Sequence, residues 1–184
     1  MKLNSKELRK LDETVGADAA SSVSRAPLVL ILENIYDTYN IGGLFRLADG
    51  LGVRHMYLCG ETTPPPNNRI HKASCGTYKI VPWSYHATAS EAIMAFRSLA
   101  TEEGHTSSSV IAIEQSDRSR PYTEIHPSIP LALIVGNETF GVTPETLALC
   151  DETAEIPMWG INKSLNVIVS AGIVSYHYIH HLRS

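Results

Sequence analysis

The chain predicts an α/β fold, an open and mostly parallel sheet with helices on both faces. Two runs, Leu, Val, Leu, Ile, Leu at 28–32 and Leu, Ala, Leu, Ile, Val at 131–135, are apolar throughout and of strand length. Strands buried on both faces read this way. Helical patterns alternate with them, the clearest over 90–103, where Ile93, Met94, Phe96, Leu99 and Ala100 recur at helical spacing.

In chain order, residues 5–16 read as a short amphipathic helix with Leu8, Leu11 and Val15 on one side and Gly16 as its stop. Residues 17–27 are small and polar, a linker or loosely packed arm, so the expected division is an arm over 1–27 and one domain over 28–184. After the first strand a polar loop over 34–40 leads to a helix over 41–51 ended by Gly52, then to a strand over 54–59. Three successive prolines, Pro64 to Pro66, remove donors and exclude regular structure there. A helical turn is expected at 70–74, strands at 78–81 and 110–113, and a long polar loop through Arg118, Arg120 and Pro121. A short helix over 144–150 and a last strand over 154–157 follow the 131–135 strand. Ser164 stands where an N-cap belongs, and the helix beyond it is apolar on nearly every side (Val167, Ile168, Val169, Ala171, Ile173, Val174). Such a helix must be buried, against its own domain, a partner subunit or both. Gly172 within it would permit close helix–helix approach, as at a dimer interface.

At 184 residues, with 43% apolar and 18% charged, the composition is that of one ordinary globular domain. The N-terminus is charged and no apolar run reaches membrane-spanning length, so neither a signal peptide nor a membrane partner is expected. Cys59, Cys75 and Cys150 form neither a zinc spacing nor a disulfide framework, which suggests a reducing, cytoplasmic setting. The net charge of −4 is unlike that of most RNA binders, but charge is segregated along the chain. Arg46, Arg54, Arg69, Lys72 and Lys79 face only Asp49 and Glu61 between 40 and 80, whereas 100–155 carries ten acids against Arg118 and Arg120. A basic patch can therefore coexist with an acidic total.

Several chemistries are excluded by pattern. Gly42-Gly43 opens a helix, yet neither the dinucleotide nor the P-loop glycine spacing is present. No serine elbow or cysteine nucleophile pattern occurs. His177, His180 and His181 share a helix face but lack further ligand types, and no metal is expected.

Three segments remain: Asn40-x-Gly42-x-x-x-Arg46-x-Ala48, Gly136-Asn137-Glu138-x-x-Gly141, and Ile156-Pro157-Met158-x-Gly160-x-x-x-Ser164-Leu165-Asn166-Val167. In this order they resemble the motifs of the SPOUT superfamily, specifically the SpoU (TrmH-type) branch of RNA ribose 2′-O-methyltransferases, over residues 28–182. The resemblance implies a C-terminal trefoil knot, a homodimer, S-adenosylmethionine as cofactor and tRNA or rRNA as partner. It implies cofactor contacts, largely through backbone, at Leu133, Ile134, Val135, Gly136, Asn137, Gly141, Ile156, Pro157, Met158, Ser164, Leu165 and Asn166, with Ile156, Met158 and Leu165 flanking the adenine. The strand ends themselves are where open α/β sheets bind ligands, and Gly136 and Gly141 would let backbone and ligand approach closely.

Asn40, Arg46, Glu138, Ser164 and Asn166 match the family's positions around the reacting ribose, and Arg46, Arg54, Arg69 and Lys72 are candidate RNA contacts. Guanidinium is not deprotonated in proteins. The preferred role of Arg46 is therefore a charged clamp on phosphate that positions the 2′-oxygen, with Glu138 accepting the proton or orienting Arg46. The resemblance implies an active site near the subunit junction, where Arg46 serves the partner's cofactor. A non-catalytic protein of the same fold, and a base-methylating enzyme, are the alternatives.

Overall fold

In the computed structural model, which describes residues 2–11 and 23–182, seven strands form one sheet in which every pairing is parallel. The elements in order are α1 (Ser5–Lys10), β1 (Ala26–Glu33), α2 (Thr38–Leu51), β2 (Val53–Cys59), α3 (Asn68–Ser74), a 3₁₀ turn (Thr77–Lys79), β3 (Trp83–His86), α4 (Ala89–Glu102), β4 (Ser109–Ile113), β5 (Arg120–Pro121), a second 3₁₀ turn (Tyr122–Glu124), β6 (Leu131–Val135), α5 (Pro144–Leu147), β7 (Glu152–Glu155) and α6 (Val167–Leu182). The strand order is β3-β2-β1-β6-β4-β7-β5.

The unbroken apolar runs have a simple cause. Leu28, Leu30 and Leu32 of β1 pack under α2, α3 and α6, whereas Val29 and Ile31 face α4 through Ala92, Ile93 and Phe96. Both sheet faces are covered, so both sets of alternating side chains must be apolar.

Helix ends follow local chemistry. Asn4 and Glu7 make a capping box on α1. Leu11 follows that helix as its C-cap, so it is shorter than 5–16, and Val15 and Gly16 lie outside the described residues. Asp37 caps α2 and Gly52 ends it at φ 63°, a left-handed turn suited to glycine.

Four sequence expectations need correction. Residues 78–81 are not a strand: Gly76 at φ 90° and the Thr77 hydroxyl donating to Ser74 O wind the chain into a 3₁₀ turn, and the strand begins at Trp83. The loop through Arg120 contains β5, which pairs with Ala154 and Glu155 at the sheet edge. The last strand starts at Glu152 and stops before Ile156, since the Asp151 carboxylate already accepts Val110 N–H and sets the pairing there. The terminal helix starts at Val167, with Asn166 rather than Ser164 accepting the Ile168 N–H (2.9 Å).

That helix is also less enclosed than its sequence suggests. Ala171, Val174 and Tyr178 are buried, but Val169 and Tyr176 are 48% and 55% exposed. Its close approach to α2 occurs at Gly43, where a Cβ would lie 2.3 Å from Ile168 Cδ1; at Gly172 a Cβ would have ordinary room, 3.8 Å from Leu47. On its other side α2 meets α3 just as closely, a Cβ on Gly42 lying 2.5 Å from that of Ala73. The Gly42-Gly43 pair thus serves packing of α2 between two helices. No helix among the described residues is long and apolar enough to cross a membrane.

One half-buried group, His55, makes stability depend on pH. Burial, then the neighbouring His86 and Arg54, lowers the pKa of His55 to about 4. Between about pH 6.5 and 4 the unfolded chain therefore takes up a proton that the folded chain refuses, so the contribution is complete above pH 6.5 and lost as pH falls. Roughly 1–3 kcal/mol is expected to disappear over that window after screening. Urea titrations at pH 7 and 4.5 check it: His55→Gln is expected to flatten the difference.

Candidate functional site

β6, β4 and β7 are adjacent, and their carboxyl ends open into a cleft of about 850 Å³. Val135 to Gly141 form one wall, Ile156, Met158 and residues 162–166 another, and Ile113 to Gln115 the floor between them. Tyr36 and Asp37, from the β1–α2 connection, and Asn40, from α2, reach the same space.

Within the cleft the three sequence motifs meet. Asn40 is buried at the first turn of α2; its Nδ2 donates to Glu138 Oε1 at 2.7 Å, and its Oδ1 accepts from Asn166 Nδ2 at 3.1 Å. Asn166 is held in turn by its capping bond at the start of α6. The arrangement leaves Glu138 exposed toward the cleft with one oxygen engaged.

The Gly136–Val142 loop is pinned from several sides. Asn137 Oδ1 accepts from Thr139 N and Phe140 N, its Nδ2 donates to Asn34 O, and its backbone pairs with Gly141 in both directions. Beyond the loop, the buried carboxylate of Glu33 accepts from the Thr143 amide and hydroxyl and from the Thr146 hydroxyl. The two glycines have a reason different from the one their motif suggests. A Cβ on Gly136 would lie 2.2 Å from Gly141 C, and one on Gly141 would lie 2.1 Å from Glu114 Oε2. The chain's own atoms fill both spaces, and Gly141 also sits at φ 71°.

The remaining candidates divide by position. Val135, Gly136, Asn137, Gly141, Ile156, Met158, Ser164, Leu165 and Asn166 line the cleft. Leu133 and Ile134 are fully buried in β6, with their side chains in the core on opposite faces of the sheet and outside the lining. Pro157 is half-buried and outside the lining. Ser164 is on the wall, its amide donating to Asn162 Oδ1, without joining the Asn40 chain. Arg46 is exposed on α2, outside this cleft. Arg69 and Lys72 are exposed on α3, whereas both terminal nitrogens of Arg54 engage the Glu103 carboxylate.

Glu114, Gln115, Glu155, Tyr36 and Phe140 also line the cleft and carry no motif. Glu114 was discoverable, since it directly follows an apolar run at a strand's carboxyl end. Burial pushes the thiols of Cys59 and Cys150 up to about 12, away from the thiolate form that a nucleophile needs. Among the described residues no group of three His, Cys, Asp or Glu side chains could hold a metal ion, and His177 packs edge-on against Tyr122 and Tyr178.

A model of the SpoU rRNA Methylase family matches residues 27–176. The chain belongs to this family. It is 32% identical over 149 residues to the tRNA (guanosine(18)-2′-O)-methyltransferase of Thermus thermophilus, covering 81% of this chain and 72% of that protein. To the 23S rRNA (guanosine-2′-O-)-methyltransferase RlmB of Neisseria meningitidis serogroup B it is 33% identical over 159 residues, covering 85% of this chain but 60% of that one. Among solved structures, the AdoMet-bound rRNA methyltransferase from Sinorhizobium meliloti matches with TM-score 0.75 and 26% identity, over 96% of this chain and 61% of that one. This SpoU-family chain therefore spans about three fifths of the latter two proteins.

Proposed function

We propose that the protein transfers a methyl group from S-adenosylmethionine to a ribose 2′-hydroxyl of tRNA or rRNA. The observation that carries this reading is the hydrogen-bonded chain Glu138–Asn40–Asn166, which draws residues 98 and 126 positions from Asn40 into one cleft at the strand ends. The names of the relatives supply the substrate class.

The cleft suits the cofactor. Its volume lies in the range of about 300–1,000 Å³ usual for small-molecule sites. Ile113, Val135, Ile156 and Leu165 offer apolar surface for an adenine, and Asp37, Glu114, Glu138 and Glu155 against Lys163 make the cleft acidic. An acidic cleft favours a cationic ligand such as a sulfonium over an anion. When bound, the cofactor supplies an electrophilic methyl group.

The protein's part is orientation, charge and proton management. Asn40 uses both ends of its amide to fix Glu138 and Asn166, which leaves Glu138 poised as acceptor for the 2′-hydroxyl proton. Arg46, charged, clamps a phosphate flanking the target ribose. In a homodimer built on the exposed side of α6 (Val169, Tyr176) and the adjoining α2, Arg46 serves the cleft of the partner subunit; Gly50 of α2 and Tyr176 of α6 adjoin within the chain. The same reading includes a knotted C-terminal segment, a catalytic domain over 28–184 with 1–27 as its arm, and a cytoplasmic setting consistent with three free thiols. A non-catalytic binding protein of the same fold is the second reading, favoured by the place of Arg46 outside the lining of its own chain's cleft.

Mass spectrometry of nucleosides from tRNA and rRNA, in cells with and without the gene, tests the activity: one 2′-O-methylnucleoside is expected to vanish. Full retention of every such nucleoside would exclude it.

The rim of the cleft yields a further prediction. Phe140 is 79% exposed while its amide is tied to Asn137, so a large aromatic face is offered on a fixed backbone. Base stacking on aromatics is worth about 1–3 kcal/mol. Phe140→Ala is expected to raise KM for RNA about tenfold, with affinity for S-adenosylhomocysteine unchanged by calorimetry.

A further inference from the structure

We propose that Glu114 and Gln115 form a clasp that holds both loops of the cleft in the positions that bind cofactor. The inference rests on the reading of this cleft as the S-adenosylmethionine site. β4 runs between β6 and β7, whose following loops are the two walls. Its continuation, Glu114-Gln115, touches both. The Glu114 amide donates to Ala154 O of β7 (3.0 Å), and its carboxylate reaches the other way, Oε2 accepting Val142 N–H at 2.9 Å. Oε1 accepts the amide of Gln115 at 2.8 Å, which fixes the side chain's direction. The carboxylate occupies the room that a Cβ on Gly141 would need, so glycine there and acid at 114 are complementary.

Gln115 holds the second wall. Its Nε2 donates to Lys163 O at 2.9 Å. Residues 159–165 are all exposed, and among the described residues this is the hydrogen bond that joins 157–165 to the rest of the protein. An exposed segment with so few internal bonds opens at low free energy unless tethered. Every degree of freedom left in the loops must be lost on binding, so tethering them beforehand raises affinity. Glu114 and Gln115 are thus positioning residues, acting through the walls.

The test uses the full chain without ligand and then with S-adenosylhomocysteine. By hydrogen–deuterium exchange, Glu114→Ala is expected to exchange the Val142 amide at least tenfold faster, with Glu114→Gln, which retains one acceptor oxygen, in between. Trypsin is expected to cut after Lys163 at least fivefold faster in Gln115→Ala at unchanged melting temperature. Affinity for S-adenosylhomocysteine should fall about tenfold in Glu114→Ala and in Gln115→Ala, with partial recovery in Glu114→Gln. Unchanged exchange and cleavage overturn the clasp whatever the cleft binds. Loosened loops with unchanged affinity overturn its role in binding. Loosened loops in a protein whose wild type binds no S-adenosylhomocysteine uphold the clasp and overturn the cofactor reading instead.

Discussion

Arg46→Ala is expected to lower kcat by about 10²–10³, the loss of roughly 3–4 kcal/mol typical of removing one group that stabilises transition-state charge. Affinity for S-adenosylhomocysteine is expected to stay as in the wild type, because Arg46 is exposed on α2 and outside the cleft of its own chain. Arg46→Lys should retain part of the rate, since lysine keeps the charge and loses the bidentate fork. Single-turnover transfer to RNA, with calorimetry for the ligand, measures both quantities. A parallel loss of ligand affinity in Arg46→Ala would move the residue into the cofactor site and refute the clamp.

Gly136→Val is the second large effect. The added Cβ would meet Gly141 C at 2.2 Å and Val142 N at 2.3 Å, and both are backbone atoms of a loop held by Asn137, Glu114 and Glu33. The loop must leave its place, and with it the wall of the cleft. At a ligand concentration of 100 Kd the wild type gains about 2.7 kcal/mol of stability; Gly136→Val is expected to show no shift in melting temperature at the same concentration. The two variants can be combined. If Arg46 serves the partner's cleft, a heterodimer of one Arg46→Ala subunit and one Gly136→Val subunit has one complete site. Random assortment then restores roughly a quarter of wild-type activity, where each variant alone has little. A fully active monomer by light scattering at micromolar concentration would refute the shared site.

The sheet was legible wherever burial alone decides sequence. β6 begins and ends at Leu131 and Val135 as expected, and β1 extends the 28–32 run by a residue or two at each end, because strands covered on both faces leave no room for polar side chains. Edge strands escaped: Arg120–Pro121 and Trp83–His86 are short, partly exposed, and owe their form to neighbours distant in sequence. At the site, Asn40, Glu138 and Asn166 could be picked out by motif, and the structure adds that they touch. What spacing could not reveal is which atoms fill the space beside a glycine. Gly141 looked like room for a ligand and is room for Glu114; Gly172 looked like a helix contact, which occurs at Gly43. The choice of Ser164 as N-cap failed for a related reason. Either residue can cap, and the bond from Asn166 to Asn40 fixes the start of α6 at the later one.

The place of β6 in the sheet bears on how the chain is made. β1 pairs with β2 on one edge and with β6 on the other, and 97 residues separate the end of β1 from the start of β6. At about 5–20 residues per second of synthesis, the second edge of β1 waits roughly 5–20 s for its neighbour. During that interval Leu28 to Leu32, the most apolar stretch of the nascent chain, presents unpaired backbone groups to other strands. β4 is finished earlier but has no place beside β1, since β6 must enter between them. The ribosome therefore delivers one half-sheet, β3-β2-β1, with β4 and β5 still unpaired when β6 emerges, because β7, which pairs with both, follows β6 in the chain. Yield in a foreign host should rise with slower translation through residues 34–130 only if a chaperone shields that edge, and fall if none does.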